Sequence, residues 1–341
     1  MKVSLLVPAY NEEKTIRQCL LSYLNQSRPF DQIVVVDDCS TDKTPNILAE
    51  FADRIKVVRT PKQSGNKSRA QEFGLQFIDG DIFVMTDADT ILDRDFVKNI
   101  LPYFSNPRVA AVAGYVKSLP YNTLTACREI DYFVGQKLHK RAAVSLHSVY
   151  IIPGCAAAFR TDVFKSNIKF SHDTLTEDLD FTYTLYKLGF AIRFADNAIS
   201  FTQDPPNLPS YIRQMKRWYT GGWQNLFKHL SIFTTPASAL ELSLLYLENL
   251  SLALLLFVLP IVNLSWFLSF ILIDFLVAVT LGAYVAWQEK RRDILFAAPV
   301  YLFISLLNLF LFLSTFVKVV SQRNKQISWS FVDRVIIKQK L

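Results

Sequence analysis

The chain has 341 residues, of which 51% are hydrophobic, and a formal net charge of +7. This composition excludes a disordered or low-complexity protein. The cations form no basic stripe, so a nucleic-acid-binding protein is not expected. The four cysteines, Cys19, Cys39, Cys127 and Cys155, lack the spacing of a metal site, and we expect free thiols in a reducing compartment.

Short apolar runs alternate with helical segments over the first hundred residues. The predicted strands are 3–8, 32–38, 55–60 and 81–89. The predicted helices run from Glu12 to about Asn25, from an N-cap at Ser40 or Thr41, and over 65–78. This alternation predicts an α/β domain with a Rossmann-like, mostly parallel sheet. In such sheets, ligands bind outside the carboxyl ends of the strands.

Polar residues follow the predicted strands at that rim of the sheet. They are Pro8 to Glu12, Asp37 and Asp38, Lys67 and Arg69, and Asp87 and Asp89. Asp87 and Asp89 stand two apart at the end of an extended run, so we expect both carboxylates to face the same side. A carboxylate pair suits Mg²⁺ or Mn²⁺ bound to phosphates, and Lys67 can add positive charge. These residues predict a site for a nucleotide diphosphate.

Six motifs occur in the order PAYNEE, VVDDCSTDKT, GNKSRAQEFGL, MTDADT, TEDLDFTYTLYKLGF and QMKRW. Over roughly residues 3–230 they resemble the family 2 inverting glycosyltransferases with a GT-A fold. More narrowly, the chain resembles the membrane-embedded cellulose, chitin, hyaluronan and poly-N-acetylglucosamine synthases. The QxxRW element favours this branch, although ceramide-type glucosyltransferases also carry such an element.

The resemblance implies a role for each matching residue. On the side of the UDP-sugar donor these are Pro8, Tyr10, Glu12, Asp37 and Asp38 for the nucleoside, Lys67 and Asp87 for the diphosphate, and Asp87 and Asp89 for Mg²⁺ or Mn²⁺. On the acceptor side they are Asp178 as general base with Glu177 beside it, Gly154 and Cys155 in an acceptor-contacting loop, and Gln214, Arg217 and Trp218 of the QxxRW element. The wording IPGCAAAFR around Gly154 departs from the best-known synthases, so the acceptor sugar is left open.

The chemistry of an inverting transfer fits the TEDLD motif. One group must take a proton from the acceptor hydroxyl, and a carboxylate can do so. The motif opens a predicted helix with Thr176 as N-cap, where acids are otherwise only partners of the helix dipole. The upstream carboxylate pair favours the catalytic interpretation for Asp178, whereas Asp180 is expected to be structural.

The segment LPSYIRQMKRWYTGGWQNLFKHLSIF mixes cations with aromatic residues, which is typical of a helix in a membrane interface. A simple anchor is one interpretation. In the functional interpretation, Arg217 binds phosphate and Trp218 offers its ring to the acceptor sugar. Gly221 and Gly222 would let the backbone break or approach another element closely.

Three apolar segments follow, each long enough to cross a bilayer: 237–259, 263–287 and 294–320. The first is the weakest, because it contains Glu241 and Glu248. Since no N-terminal signal is found, we expect a multi-pass protein of the cell membrane whose catalytic domain faces the cytoplasm. The expected domains are 1–205 (catalytic), 206–235 (interface segment with QxxRW), 236–320 (two or three transmembrane helices) and 321–341 (a basic, interfacial tail).

The main functional hypothesis is a metal-dependent transferase that moves a sugar from a UDP-sugar to a growing polysaccharide. The alternative is a single transfer to a membrane lipid. A non-catalytic module that kept the nucleotide fold is disfavoured by the intact TED and QxxRW motifs. The sequence does not identify the donor sugar, the linkage or the oligomeric state.

Overall fold

The computed structural model describes residues 1–140, 151–234 and 236–321. In this part of the chain the strands β1 to β8 are Val3–Ala9, Gln32–Asp37, Lys56–Arg59, Ile82–Met85, Thr90–Leu92, Val109–Ser118, Ala157–Arg160 and Ala191–Thr202. They form one sheet in the order β3-β2-β1-β4-β7-β6-β8-β5. The first four are mutually parallel, and so are β6 and β8, whereas β7 and β5 run antiparallel to their neighbours.

The α-helices of the described residues, α1 to α11, are Ile16–Leu24, Thr44–Ala49, Lys67–Leu75, Phe96–Ile100, Thr123–Tyr132, Thr161–Asn167, Glu177–Lys187, Leu208–Lys228, Pro236–Val262, Leu264–Glu289 and Arg292–Ser321. A π-helical stretch, Phe133–Lys140, continues α5. Short 3-10 helices cover Leu101–Ser105 and Leu230–Thr234.

Both faces of the sheet are buried. Along β1, Leu5 and Val7 belong to the apolar cluster on one face and Leu6 to the cluster on the other, as the alternation of side chains in a strand requires. The strands at the centre therefore read as continuous apolar runs, which is typical of a covered, mostly parallel sheet. The predicted α/β fold is confirmed.

Two predicted helix starts are wrong. Helix α1 begins at Ile16 and not at Glu12, because residues 13–15 form a turn. Just before this turn, the backbone N–H of Glu12 donates to Thr44 Oγ1 (2.9 Å). Helix α2 begins at Thr44 with Lys43 as its N-cap. Ser40 accepts a hydrogen bond from the loop after β1 instead of capping a helix. Such contacts between distant loops leave no mark in a local pattern.

The prediction for 81–89 is also wrong in its second half. Strand β4 ends at Met85, and Asp87 and Asp89 lie in the connection to β5. Strand alternation therefore does not decide which way their carboxylates face. The position of this connection decides which way the two carboxylates face.

Three long helices follow the α/β domain. By length and composition α10 and α11 could cross a membrane, whereas the apolar part of α9 is the shorter stretch Tyr246–Val262. Helix α11 packs against α5 and α8, where Tyr211 donates to Asn308 Oδ1 (2.7 Å). Just before α11, Glu289 pairs with Lys117 and Lys137 of the α/β domain. The predicted basic tail lies, from residue 322 on, outside the described residues.

Candidate active site

The carboxyl ends of β1, β2 and β4 meet at a cavity of about 1020 Å³. Of the residues to which the resemblance assigns a role, all but one line it: Pro8, Tyr10, Glu12, Asp38, Lys67, Asp87, Asp89, Gly154, Cys155, Glu177, Asp178, Gln214, Arg217 and Trp218. The exception is Asp37, which is buried outside this lining. Its carboxylate accepts from the Ser40 N–H (2.9 Å) and pairs with Arg59 (3.2 Å).

The loops after β1 and β2 form one end of the cavity and hold each other in place. The Asn11 N–H donates to Ser40 Oγ (3.0 Å), and the Thr41 N–H donates to Asn11 Oδ1 (2.8 Å). Asn11 and Cys39 both have positive φ angles, 55° and 61°. These backbone conformations are uncommon outside glycine and often mark functional loops. The hydrogen bonds and these backbone conformations fix the loop that follows Pro8, so Pro8 forms a rigid part of the cavity edge.

Asp38 organises the next part of the rim. Its two carboxylate oxygens accept from Thr60 Oγ1 (2.8 Å) and from the hydroxyl of Ser64 (2.7 Å). Two residues later, Asn66 caps helix α3 by accepting from the Ser68 N–H (2.8 Å). Helix α3 therefore starts at the cavity, with Lys67 as its first residue.

Lys67 lies between the two acidic motifs. Its ammonium lies 2.5 Å from Asp87 Oδ1 and 3.6 Å from Glu177 Oε1. Burial alone would lower the pKa of Lys67, but the two carboxylates raise it well above its usual value. Lys67 is therefore a permanent cation between the two acidic motifs.

The connection that carries Asp87 and Asp89 is fixed by a buried tyrosine. The Tyr23 hydroxyl lies within hydrogen-bonding distance of the backbone oxygens of Asp87 (2.9 Å) and Thr90 (2.8 Å). Asp89 is 5% exposed and lines the cavity with Asp87. Among the described residues there is no cluster of three or more possible metal ligands. Two carboxylates fit a Mg²⁺ or Mn²⁺ ion that takes its remaining ligands from phosphates and water.

Asp178 occupies the first turn of α7. Its carboxylate accepts from the backbone N–H groups of Gly154 (3.1 Å) and Leu179 (2.9 Å). Burial, and then the charge of Glu177, raise the pKa of Asp178 to about 6, although Lys67 acts in the opposite direction. A carboxylate with this pKa can accept a proton near neutral pH.

Helix α8 lines the cavity and is tied to the start of α7. The Asn225 amide donates to Thr174 Oγ1 and to Thr176 O, both at 2.9 Å. Gly221 touches Thr176 so closely that a Cβ atom would lie 2.4 Å from Thr176 Oγ1. Of the two predicted uses of the Gly-Gly pair, close approach is thus found at Gly221, and α8 continues unbroken through both glycines.

Sequence reasoning missed a buried charge network beside Trp218. Arg128 pairs with Asp131 (2.8 Å) and Asp204 (3.4 Å), and all three line the cavity. The guanidinium carbon of Arg128 lies 5.0 Å from the centroid of the Trp218 ring and 4.7 Å from that of Tyr132. The segment ACREIDYF gives no local sign of this role, because its charges read equally well as a solvated helix face.

Lys140 is a second missed residue of the cavity wall. It ends the π-helical stretch after α5 and is 5% exposed. Burial lowers the pKa of Lys140 to about 7, although Cys155 and Asp178 act to raise it. Lysines are usually solvated, so a single sequence does not single this one out.

Comparison with known proteins finds a matching family and similar sequences. Residues 4–167 match the family described as Glycosyl transferase family 2. A probable glycosyltransferase, YdaM, of Bacillus subtilis is 31% identical over 68% of this chain and 58% of its own length. A poly-beta-1,6-N-acetyl-D-glucosamine synthase of Staphylococcus epidermidis is 25% identical (73% and 61%), and a beta-monoglucosyldiacylglycerol synthase of Nostoc is 29% identical (65% and 49%). The chain thus spans about half to six-tenths of the length of these three relatives.

Two solved structures share the fold. The mannosyltransferase PcManGT of Pyrobaculum calidifontis, in complex with GDP-Man and Mn²⁺, gives a TM-score of 0.62 at 21% identity, over 91% of this chain and 87% of its own. TarS 1–349 of S. aureus, in complex with UDP-GlcNAc, gives 0.51 at 20% identity, over 95% and 92%. Together with the family match, these likenesses confirm the predicted fold class, a GT-A domain followed by apolar helices.

Proposed function

We propose that the chain is an inverting glycosyltransferase of family 2, whose model residues 4–167 match, and that it moves a sugar from a UDP-sugar to an acceptor hydroxyl at a membrane. The named relatives are themselves glycosyltransferases and sugar-polymer or glycolipid synthases. The observation that carries the proposal is Asp178, a carboxylate with a pKa raised to about 6, in the cavity that also contains the predicted donor residues.

In the proposed reaction Asp178 acts as general base. It takes the proton from the acceptor hydroxyl as that oxygen forms a bond to the anomeric carbon of the donor. The bond from the anomeric carbon to the β-phosphate oxygen breaks, and its electron pair leaves with UDP. Backbone N–H groups of Gly154 and Leu179 orient the base. General bases typically contribute a factor of about 10²–10⁴ to the rate.

The donor end of the cavity suits a nucleotide diphosphate. Lys67 would face the departing phosphates with a cation that does not titrate near neutral pH. Asp87 and Asp89 would hold Mg²⁺ or Mn²⁺, which supplies charge stabilisation for the leaving group. The Mn²⁺ in PcManGT and the UDP-GlcNAc in TarS support this assignment by analogy of fold.

Acceptor and membrane placement are part of the same proposal. The relatives include a synthase of a polysaccharide and a synthase of a glycolipid, so they leave open both acceptors considered from the sequence. The length and composition of helices α10 and α11 support placement in a membrane. A catalytic domain on the cytoplasmic side is the further part of this proposal. The interface helix α8, with Gln214, Arg217 and Trp218, would lie at the bilayer surface.

UDP release by the full chain tests the proposal. The assay uses nanodiscs, a panel of UDP-sugars and Mg²⁺ or Mn²⁺. One sugar should support release, EDTA should abolish it, and Asp178→Asn should lower it by about 10²-fold or more. Asp180→Asn is a matched control, because Asp180 lies in the same helix but pairs with His229 and Lys228. Full turnover in Asp178→Asn would remove this residue from the mechanism, and no release with any sugar would reject the proposed activity.

A further inference from the structure

The cavity does not stop at the acceptor side of Asp178. Its far wall is built by Tyr246 and Asn249 of α9 and by Tyr301, Asn308 and Phe312 of α11. One continuous space therefore joins the proposed base to the apolar helices. At about 1020 Å³ it is at the upper end of pockets for one drug-sized ligand, so a donor and part of an acceptor can share it.

Three polar tips of this far wall have partners within the protein. The Tyr246 hydroxyl donates to Gly222 O (3.2 Å), and the Tyr301 hydroxyl donates to Asp131 Oδ1 (2.7 Å). Asn308 Oδ1 accepts from the Tyr211 hydroxyl (2.7 Å). Tyr246, Tyr301 and Phe312 therefore offer a ligand mainly rings and hydrocarbon. A glycan would lose hydration of its hydroxyls there without full replacement, which is unfavourable.

The outer sides of the same helices are exposed and apolar. Ile261 of α9 is 86% exposed, and Phe303 and Phe310 of α11 are 57% and 49% exposed. Large exposed apolar surfaces mark contacts with a membrane or a partner. The far wall of the cavity is thus the inner side of a helix layer whose outer side suits lipid.

We propose that the acceptor is an amphiphile, a lipid whose polar head carries the accepting hydroxyl. The head reaches Asp178, and the hydrocarbon part lies along the cavity side of Tyr246 and Phe312, whose rings pack against each other (6.1 Å between centroids), and points toward the bilayer. This inference rests on the proposed function and names its acceptor class. It favours the single-transfer alternative over extension of a polysaccharide.

Phase partition of the product tests the inference. The full chain is reconstituted in phosphatidylcholine vesicles that contain either dioleoylglycerol or a total lipid extract of the expression host. The labelled UDP-sugar that supports UDP release is then added, and a parallel arm supplies soluble chito-oligosaccharides. We expect one discrete labelled product in the chloroform phase. Label only in water-soluble chains of increasing length, or UDP release without any chloroform-soluble product in either lipid arm, would overturn the amphiphile. Absence of UDP release would instead reject the underlying activity.

A pair of phenylalanines on α11 provides matched variants. Phe312 lines the cavity and is 8% exposed, whereas Phe310 does not belong to the cavity lining. Phe312→Ala should raise the KM for the lipid acceptor roughly tenfold, because one buried ring contact is lost. The melting temperature of the variant, measured beside the KM, reports whether the fold is intact. Phe310→Ala should change neither value. Equal effects of the two variants would show that the far wall does not bind the acceptor.

Discussion

At the residue scale, Asp178 is tuned by its surroundings. Burial and Glu177 raise its pKa to about 6, and only the ionised carboxylate can accept a proton. We therefore predict that kcat/KM for transfer rises with pH through about 6 and becomes constant roughly one unit above it. Initial rates between about pH 5 and 8 at saturating metal check this. A profile without an inflection near 6 would contradict the assignment of Asp178 as base.

We predict that Arg128 positions Trp218. Its guanidinium lies against the Trp218 ring and is fixed by Asp131 and Asp204. Arg128→Lys keeps the charge, which avoids leaving two buried carboxylates unpaired, but loses the planar group that stacks on the ring. We predict about tenfold weaker acceptor-dependent transfer, with acceptor-independent UDP release within about twofold.

Two comparisons test whether Arg128 acts through Trp218. In the Trp218→Phe background, Arg128→Lys should have little further effect on transfer, because the two residues belong to one unit. Arg160→Lys is the matched control. Arg160 also lies over a ring, that of Phe104 (5.7 Å), but not in the cavity lining. Additive losses in the double variant would instead indicate two independent roles.

Residues of ordered motifs were predictable, and residues that act across the fold were not. Asp87, Asp178 and Trp218 all reach the cavity from separate motifs. Asp37 does not reach the cavity, because Arg59 and the Ser40 N–H bind its carboxylate. Arg128 meets Asp204 and Trp218, which belong to other segments, and a single sequence does not record such contacts.

At the scale of the secondary-structure elements, the sequence predicted the type of an element but not the residue at which helices α1 and α2 begin. Strands β1 and β2 follow from continuous apolar runs, because both faces of the sheet are covered. The start of α2 does not, because Ser40 has a partner in another loop. The carboxylates of Asp87 and Asp89 share the cavity because Tyr23 fixes the loop after β4, not because of strand alternation.

The contact between α8 and α7 gives a sharp prediction for the Gly-Gly pair. Gly221→Ala would place a Cβ 2.4 Å from Thr176 Oγ1, so α8 must move away from the TEDLD motif. We expect a lower melting temperature and at least about tenfold slower transfer, since small displacements of catalytic groups are costly.

Gly222→Ala is the matched control for Gly221→Ala. Its Cβ would meet only the end of the Tyr246 side chain, at 3.4 Å. Alanine also favours a helix over glycine by about 1 kcal/mol, so the melting temperature should stay the same or rise. Differential scanning calorimetry and UDP release on both variants check the pair. Equal destabilisation by the two substitutions would refute the contact with Thr176 as the cause.

At the scale of the whole molecule, the sequence predicts two compartments but not how they share a cavity. The α/β domain and the apolar segments are each visible as local patterns of hydrophobicity. The far wall of the site is not, since Tyr246, Asn308 and Phe312 belong to segments that read simply as apolar. Their place in the cavity wall follows from the packing of α9 and α11 on α8. The contacts between α8 and α11 join residues about ninety positions apart.

The contact of α10 with the α/β domain predicts a membrane topology that labelling can test. Helix α10 has 26 residues, or about 39 Å, which exceeds the roughly 30 Å of a hydrocarbon core. Its C-terminal end is held at the α/β domain, because Glu289 pairs with Lys117 and Lys137. Asn263, at the other end, should then lie outside the cell, and Gln288 should lie on the cytoplasmic side.

Single cysteines at these two positions distinguish crossing from surface attachment. In a Cys39→Ser, Cys155→Ser background, Asn263→Cys should react with an impermeant maleimide in intact cells. Gln288→Cys should react only after permeabilisation, as should Ser105→Cys on the catalytic domain, the control for sidedness. If Asn263→Cys also needs permeabilisation, α10 does not cross. The helix layer then lies in the cytoplasmic leaflet, where α8 would still meet the bilayer surface.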